Sequence, residues 1–147
     1  MTMPTEVVID SSVIAALVTP EEHSDWASKQ LLKYDYFHIL DLNYYEVANA
    51  IRHKKTDKFD AKDAINAFTK AVELMNLYAV HNFSEVINNA IAQALDLNIT
   101  VYDAAFVSLA EKLDMQLLTL DGKLANKLEG TKYYALLENP NKKTSQI

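Results

Sequence analysis

Short apolar runs alternate along the chain with longer segments in which apolar residues recur every three or four positions. The runs predict five strands, at residues 6–9, 36–40, 77–80, 115–120 and 132–137. The first run, EVVI, shows no polar alternation, which is typical of a strand buried on both faces of a parallel sheet. Because strands that alternate with helices form such sheets, the pattern predicts an α/β fold whose parallel sheet is covered on both sides.

Residues that favour helix starts precede the periodic segments. The predicted starts are Ser11 or Ser12, Thr19, Asn43, Asp60, Ser84 and Thr100, with a further short helix at residues 123–128. The segment after Asp60 predicts one buried stripe, formed by Ala61, Ala64, Ile65, Phe68, Val72 and Met75. The helix after Asn43 carries Glu46, and the helix after Thr100 carries Asp103.

Four acidic residues lie where a parallel sheet forms its reactive crevice, at the carboxyl ends of the strands. Asp10 and Asp121 each come directly after a predicted strand. Glu46 lies near the start of the helix after the second strand, and Asp103 begins a helix that leads into the fourth. We therefore expect the four carboxylates to meet at one edge of the sheet.

Each acid also has a purely structural interpretation. Glu46 and Asp103 follow a predicted helix cap by three residues, where an acid is favoured by about 1 kcal/mol. Asp10 and Asp121 fit the start of a turn. Together, however, carboxylates roughly 5 Å apart would repel by about 3 kcal/mol per pair at an effective dielectric of about 20. Such a cluster requires a cation, and hard oxygen ligands without cysteine indicate Mg²⁺ or Mn²⁺.

The composition narrows the class of protein. The 147 residues most simply form one domain, predicted at 1–138, followed by a polar tail at 139–147. The absence of cysteine excludes disulfides, zinc–thiolate sites and thiol catalysis. A net charge of −6 argues against a non-specific nucleic-acid coat protein, although it permits a metal-dependent nuclease. With no leader pattern and no apolar run near 18 residues, we expect a cytoplasmic protein with no membrane association.

Three segments in order carry a resemblance to a known family. They are VVIDSSVIAAL near the N-terminus, LNYYEVANAI in the middle and VYDAAFVSLAEKLDMQLLTLDGKL toward the end. The chain resembles PIN-domain proteins, in particular the small ribonucleases of the VapC toxin type. The resemblance implies a three-layer α/β/α sandwich with a central parallel sheet of four to five strands. It also implies that the catalytic and metal-binding residues are Asp10, Glu46, Asp103 and Asp121.

The same resemblance implies an activity and its partners. We expect a Mg²⁺- or Mn²⁺-dependent endoribonuclease, the toxin of a toxin–antitoxin pair, in which one or two ions activate water and shield the phosphate. Asp10 and Asp103 are the expected direct ligands, whereas Glu46 and Asp121 bind directly, through water or at a second ion. Ser12 and Thr119 match hydroxyl positions expected to contact substrate. The expected partners are single-stranded RNA, a small antitoxin protein and a second copy of the chain in a homodimer.

A dense basic run follows the helix that carries Glu46. It comprises Arg52, His53, Lys54, Lys55 and Lys58. Arg52, Lys54 and Lys55 are candidates to hold the RNA backbone, since phosphate contacts supply affinity without reading sequence. The run also fits a solvated helix end, where cations favour the C-terminal dipole.

Aromatic residues and histidines carry weaker signals. Tyr44 and Tyr45 precede Glu46, and Tyr102 precedes Asp103, so these rings can stack on unpaired bases. Packing within the protein is the favoured interpretation. The four histidines show no paired metal-ligand spacing and are interpreted as structural or surface residues.

Other classes of protein fit the sequence less well. A response-regulator receiver domain would show paired acids at the first strand and a strand-end lysine. A phosphatase of the haloacid dehalogenase class would carry a second aspartate where Ser12 stands. A P-loop enzyme is excluded because the chain has no glycine-rich loop followed by Lys-Ser or Lys-Thr. The remaining rival is a catalytically silent PIN-fold module that binds RNA or protein, and four intact acids argue against it.

Overall fold

Five strands form one parallel sheet in the computed structural model, which describes residues 3–142. The strands are β1 (Glu6–Ile9), β2 (Tyr36–Leu40), β3 (Ala79–His81), β4 (Leu117–Leu118) and β5 (Leu137–Glu138). Their order is β3-β2-β1-β4-β5, and each neighbouring pair is parallel. The predicted α/β fold with a parallel sheet of four to five strands is confirmed.

Helices cover both faces of the sheet. They are α1 (Ser11–Val18), α2 (Ser24–Lys33), α3 (Leu42–His53), α4 (Ala61–Met75), α5 (Ile87–Leu97), α6 (Val101–Leu113) and α7 (Gly122–Leu128). Short 3-10 helices cover Phe83–Glu85 and Lys132–Leu136. No helix within residues 3–142 is long and apolar enough to cross a membrane.

The three layers follow from the alternation of side chains along the central strand. Val8 packs in a core with α5, α6 and α7, whereas Val7 and Ile9 pack on the other face with α1, α3 and α4. All three side chains are fully buried. Burial of each contributes about 1.5–3 kcal/mol, so the uninterrupted apolar run EVVI fixes β1 at the centre of the sheet.

Two helix caps differ from the prediction because an aspartate at the strand end takes the position. Asp10, rather than Ser11 or Ser12, caps α1 through its side chain. Asp41, rather than Asn43, caps α3, and its carboxylate accepts a hydrogen bond from the next backbone N–H. The predicted caps at Asp60 and Thr100 are confirmed for α4 and α6.

The predicted start of the second helix at Thr19 is wrong. Thr19 instead ends α1, where its hydroxyl donates to the Ala15 carbonyl oxygen at 2.7 Å. The next helix begins at Ser24, whose hydroxyl donates back to the Thr19 carbonyl at 2.9 Å. The prediction for Ser84 is also wrong, because that residue lies within the 3-10 helix and α5 begins after it.

Three strands and one apolar stripe are also displaced from their predicted positions. The strand predicted at 77–80 is β3, at Ala79–His81. The predicted strand at 115–120 shortens to β4, and most of the predicted strand at 132–137 is a 3-10 helix. On α4, the fully packed face is formed by Ala67, Ala71 and Met75, whereas Ala61 and Ile65 are exposed. The predicted stripe residues Ala64, Phe68 and Val72 are partly buried against the same core.

The predicted polar tail lies only partly within the described structure. Its first residue, Asn139, is buried and donates its side-chain amide to the Thr119 carbonyl oxygen at 3.0 Å. The Lys142 ammonium donates to the carbonyl oxygens of Tyr134 and Leu137. Residues 143–147 of the predicted tail lie outside the described residues.

Candidate active site

The four acids predicted to form the site come from the central strand and its two neighbours. Asp10 follows β1 directly, Glu46 lies early in α3 after β2, and Asp103 is the third residue of α6. Asp121 comes three residues after β4 ends, rather than directly after it as predicted. Since β1 lies between β2 and β4, the site occupies the crevice where the strand order reverses.

Asp10 is held at the start of α1. Its Oδ1 accepts hydrogen bonds from the backbone N–H of Ser12 at 3.0 Å, from that of Val13 at 3.3 Å and from the Ser12 hydroxyl at 2.5 Å. The side chain lies almost wholly inside the protein, with 9% exposure. Burial raises the pKa of Asp10 to about 6, although hydrogen bonds from Ser12, Thr119 and Val13 oppose the rise and Asp121 adds to it.

Glu46 is held by a chain of buried polar groups. The Ser11 hydroxyl donates to Glu46 Oε1 at 3.1 Å, and Asn43 Nδ2 donates to the Ser11 oxygen at 3.2 Å. Burial raises the pKa of Glu46 to about 7; the Ser11 hydrogen bond lowers it, and the charges of Asp10 and Asp103 raise it further. The carboxylate therefore has one hydroxyl that favours its ionised form and two acids that oppose it.

Asp103 and Asp121 lie at the starts of α6 and α7. The Asp103 backbone N–H donates to Thr100 Oγ1 at 3.1 Å. Asp121 Oδ1 accepts from the backbone N–H groups of Lys123 and Leu124, the second and third residues of α7, at 3.0 and 3.1 Å. Burial raises the pKa of Asp103 and the charge of Asp121 adds to the rise, whereas the Thr100 hydrogen bond and Lys127 lower it.

The four acids are here named the acidic cluster, because their charges act on one another. The charge of Asp121 raises the pKa of Asp10 and of Asp103, and the charges of Asp10 and Asp103 raise the pKa of Glu46. No salt bridge within residues 3–142 includes a member of the cluster. The same part of the chain contains no three acidic or histidine side chains already positioned to hold a metal ion. Negative charge is therefore concentrated in this region, where the charge of Lys127 opposes it at Asp103 without a salt bridge.

The two hydroxyls predicted to contact substrate lie beside the acids and bond protein groups. Ser12 Oγ donates to Asp10 and accepts from the Leu120 backbone N–H at 2.9 Å. Thr119 is fully buried, and its Oγ1 accepts from the Asp121 backbone N–H at 3.0 Å. Both residues position carboxylates in the structure, and their contact with substrate stays a prediction.

The basic run is not brought to the acidic cluster. Arg52 lies six residues beyond Glu46 on α3, about 9 Å further along the helix axis. Lys54 forms a salt bridge with Glu21. Arg52 and Lys55 line a groove between α3 and α4 instead. A role for Arg52, Lys54 and Lys55 in RNA binding stays a prediction for a second contact surface.

Ser11 and Asn43 belong to the site, although their sequence positions predicted only helix starts. Asn43 is fully buried and also joins the ends of β1 and β2, because its Oδ1 accepts from the Leu40 N–H at 2.8 Å and its Nδ2 donates to the Ile9 carbonyl oxygen at 3.4 Å. The available signal was an asparagine three residues after a strand end, which fitted a helix cap equally well.

The tyrosines beside the acids divide into two groups. Tyr44 packs in the core and donates its hydroxyl to Asn76 Oδ1 at 2.9 Å, as the packing interpretation predicted. Tyr45 and Tyr102 are exposed by 78% and 58%, so the packing interpretation is wrong for them.

Two histidines that are far apart in the sequence lie side by side in the structure and form a second cluster of titratable side chains. His38 Nδ1 lies 3.0 Å from His81 Nε2, and His38 Nε2 lies 2.9 Å from Glu6 Oε1. His81 Nδ1 lies 3.7 Å from Glu85 Oε2. The four residues are named the histidine cluster, and the pairing of β2 with β3 brings its two rings together.

Comparisons with known proteins agree on one family. The sequence profile described as PIN domain matches residues 7–128. Ribonuclease VapC3 of Pyrobaculum aerophilum is 42% identical over 123 residues, which cover 83% of this chain and 94% of that protein.

Solved structures match the fold. A toxin–antitoxin complex from Klebsiella pneumoniae superposes with a TM-score of 0.67 at 14% identity, covering 91% of this chain and 97% of that one. VapC20 of Mycobacterium tuberculosis, described as a sarcin–ricin loop cleaving toxin, gives 0.65 at 15% identity, covering 82% and 93%. At these identities the two matches show the fold alone.

Proposed function

The chain belongs to the PIN-domain family, among its VapC-type ribonucleases, and from this premise we propose that it is a divalent-metal-dependent endoribonuclease. Its substrate is RNA, cleaved at phosphodiester bonds in single-stranded regions. The observation that carries the proposal is the acidic cluster, in which four partly buried carboxylates repel one another at the carboxyl edge of the sheet. Strongly perturbed acids in a crevice are typical of a functional site.

The donor set fits Mg²⁺ or Mn²⁺. Asp10, Glu46, Asp103 and Asp121 offer only hard oxygen atoms, which both ions prefer. A bound cation supplies two things, a lowered pKa for a water molecule and an opposite charge for the phosphate. Because like charges repel, we expect the four side chains to lie closer together around a cation than they do without one.

The remaining side chains of the site hold these carboxylates in place. The start of α1 and the Ser12 hydroxyl fix Asp10, and Ser11 fixes Glu46. The Thr119 hydroxyl accepts a hydrogen bond from the Asp121 backbone N–H and also lowers the pKa of Asp10 through a hydrogen bond. Each of these contacts favours an ionised carboxylate, which is the form that binds a cation.

The biological setting follows from the relatives. The matched Klebsiella pneumoniae structure is a toxin–antitoxin complex, and we extend this pairing to the present chain, with a small antitoxin protein as its partner. Formation of a homodimer and action on RNA in the cytoplasm belong to the same proposal. The mass of the purified protein in solution tests the homodimer. Locating the protein in cell fractions tests the cytoplasmic setting.

The activity is tested with labelled single-stranded RNA. We expect purified protein to cleave the RNA in Mg²⁺ or Mn²⁺ and to lose the activity in EDTA. Excess Mg²⁺ restores it. Cleavage that persists in EDTA would contradict metal dependence, and failure to cleave any RNA in either ion would favour the silent binding module.

A further inference from the structure

A cavity of about 510 Å³ is lined in part by the two helices that carry Glu46 and Asp103. Its lining residues are Leu42, Tyr45, Phe83, Val101 and Tyr102. They come from the starts of α3 and α6 and from the 3-10 helix between β3 and α5. The volume falls within the range of small-molecule sites, which is roughly 300–1,000 Å³.

The position of the cavity ties it to the proposed reaction. Tyr45 directly precedes Glu46 on α3, and Tyr102 directly precedes Asp103 on α6. Glu46 and Asp103 are close enough for the charge of Asp103 to raise the pKa of Glu46. The cavity is therefore lined by the residues that directly precede two of the four acids.

The chemistry of the lining indicates an uncharged, flat ligand. All five lining residues are apolar or aromatic, and none carries a charge. Phosphate would gain no cation there and would lie beside two acids, whereas a nucleobase is neutral and has a π-face on each side. The two tyrosines come from different helices and expose their side chains to solvent by 78% and 58%. Their rings are therefore available to a ligand.

We propose that this cavity holds an unpaired base of the RNA substrate, next to the phosphate that is cleaved, by stacking on Tyr45 and Tyr102. The proposal rests on the proposed function and adds to it a base-binding subsite. Stacking on aromatic side chains tolerates any base, so the subsite selects for unpaired regions and not for a particular sequence. Paired bases are excluded because their faces are covered by neighbours in the helix.

Cleavage kinetics under single-turnover conditions test the subsite. We expect Tyr45→Ala and Tyr102→Ala to raise the protein concentration at half-maximal rate about 5- to 100-fold, with a smaller change in the maximal rate. Tyr45→Phe and Tyr102→Phe keep the ring and should restore binding. Tyr36→Ala is the matched control, because Tyr36 is also 58% exposed but lies at the opposite end of a strand, at the start of β2.

An abasic substrate assigns the effect to a base. Removing the base that flanks the cleaved bond should weaken wild-type binding by about the same factor as the double change Tyr45→Ala and Tyr102→Ala. The same substrate should weaken the binding of the double variant no further. Equal additional losses in variant and wild type, or unchanged binding in both alanine variants, would overturn the proposal while leaving the nuclease activity intact.

A binding measurement separates this proposal from the proposed function. An uncleavable DNA oligonucleotide that carries the fluorescent base 2-aminopurine should lose emission with wild-type protein but not with Tyr102→Ala. Loss of emission without RNA cleavage would support the subsite and reject the ribonuclease activity. RNA cleavage without loss of emission would support the ribonuclease activity and reject the subsite. Alanine variants that bind RNA normally but lose affinity for a protein partner would show a protein-docking cavity and contradict the proposal.

Discussion

The acidic cluster and the histidine cluster contain similar numbers of titratable groups but compensate charge in different ways. In the histidine cluster each ring faces a carboxylate, His38 at 2.9 Å from Glu6 and His81 at 3.7 Å from Glu85. In the acidic cluster the charges of neighbouring carboxylates raise the pKa values of Asp10, Glu46 and Asp103, and no member forms a salt bridge within residues 3–142. The acidic cluster is therefore the one that would be stabilised more by an added cation.

The largest expected effect separates the two clusters by activity. Asp10→Asn and Asp103→Asn should each lower RNA cleavage about 100-fold or more, because each removes a charge that holds the cation. Glu6→Gln makes the same chemical change in the histidine cluster and should leave the rate within about twofold of wild type. Cleavage rates measured in Mn²⁺ check the comparison. Equal losses in all three variants would show that the clusters do not differ in function.

Asp10→Asn should lower the rate of cleavage but raise the stability of the protein when divalent ions are absent. The pKa of Asp10 is about 6 in the folded protein against 3.8 for the free side chain, so its ionised form destabilises the fold. At pH 8, without divalent cations, Asp10→Asn should therefore raise the free energy of unfolding by about 2–3 kcal/mol.

The pH dependence supplies the control for this stability effect. The advantage of Asp10→Asn should decline as the pH falls from about 6 to 4, because the wild-type carboxyl then becomes protonated in the folded protein. Urea unfolding at pH 8, 6 and 4 measures the trend. A variant that is less stable than wild type at pH 8 would show that the Asp10 charge is already compensated within the fold.

The support of Glu46 should appear in the pH profile of cleavage. Ser11 lowers the pKa of Glu46 through its hydrogen bond, so Ser11→Ala should raise that pKa beyond about 7 and leave less ionised carboxylate near neutral pH. We expect a loss of roughly threefold to tenfold at pH 6.5 that recovers at pH 8.5. Ser28→Ala, at an exposed position on α2, is the control. A loss of the same size at both pH values would indicate a structural role alone.

The smallest effect is expected in the histidine cluster. Glu6 is partly exposed, and its pair with His38 resembles a surface ion pair, so Glu6→Gln should lower the free energy of unfolding by about 0.2–1 kcal/mol. Urea unfolding at pH 7 measures the change. A loss above about 2 kcal/mol would mean that the histidine cluster is as strongly coupled as the acidic cluster.

The fold could be predicted where burial dominates. The run EVVI has no polar alternation and the run YFHIL is mostly apolar, and both form strands at the predicted residues. Strand ends of one parallel sheet converge by topology, which is why acids placed after β1, β2 and near β4 could be assigned to one edge. The length of β4 was overestimated because only Leu117 and Leu118 pair with both neighbouring strands.

Contacts that depend on side-chain direction could not be predicted. Ser11 and Glu46 are 35 residues apart in sequence, and His38 and His81 are 43 apart. Each pair forms only because two elements lie side by side with particular rotamers, and neither leaves a periodic signal. The same reason explains why all three tyrosines beside the acids were assigned to packing although only Tyr44 packs in the core.

Titration with Mn²⁺ measures whether the acidic cluster binds a divalent cation. Free Mn²⁺ gives an electron paramagnetic resonance signal that weakens on binding. Wild-type protein and Glu6→Gln should remove this signal alike, whereas Asp10→Asn should remove much less of it. A signal that persists with wild-type protein, or binding that survives Asp10→Asn unchanged, would show that the acidic cluster is not a cation site.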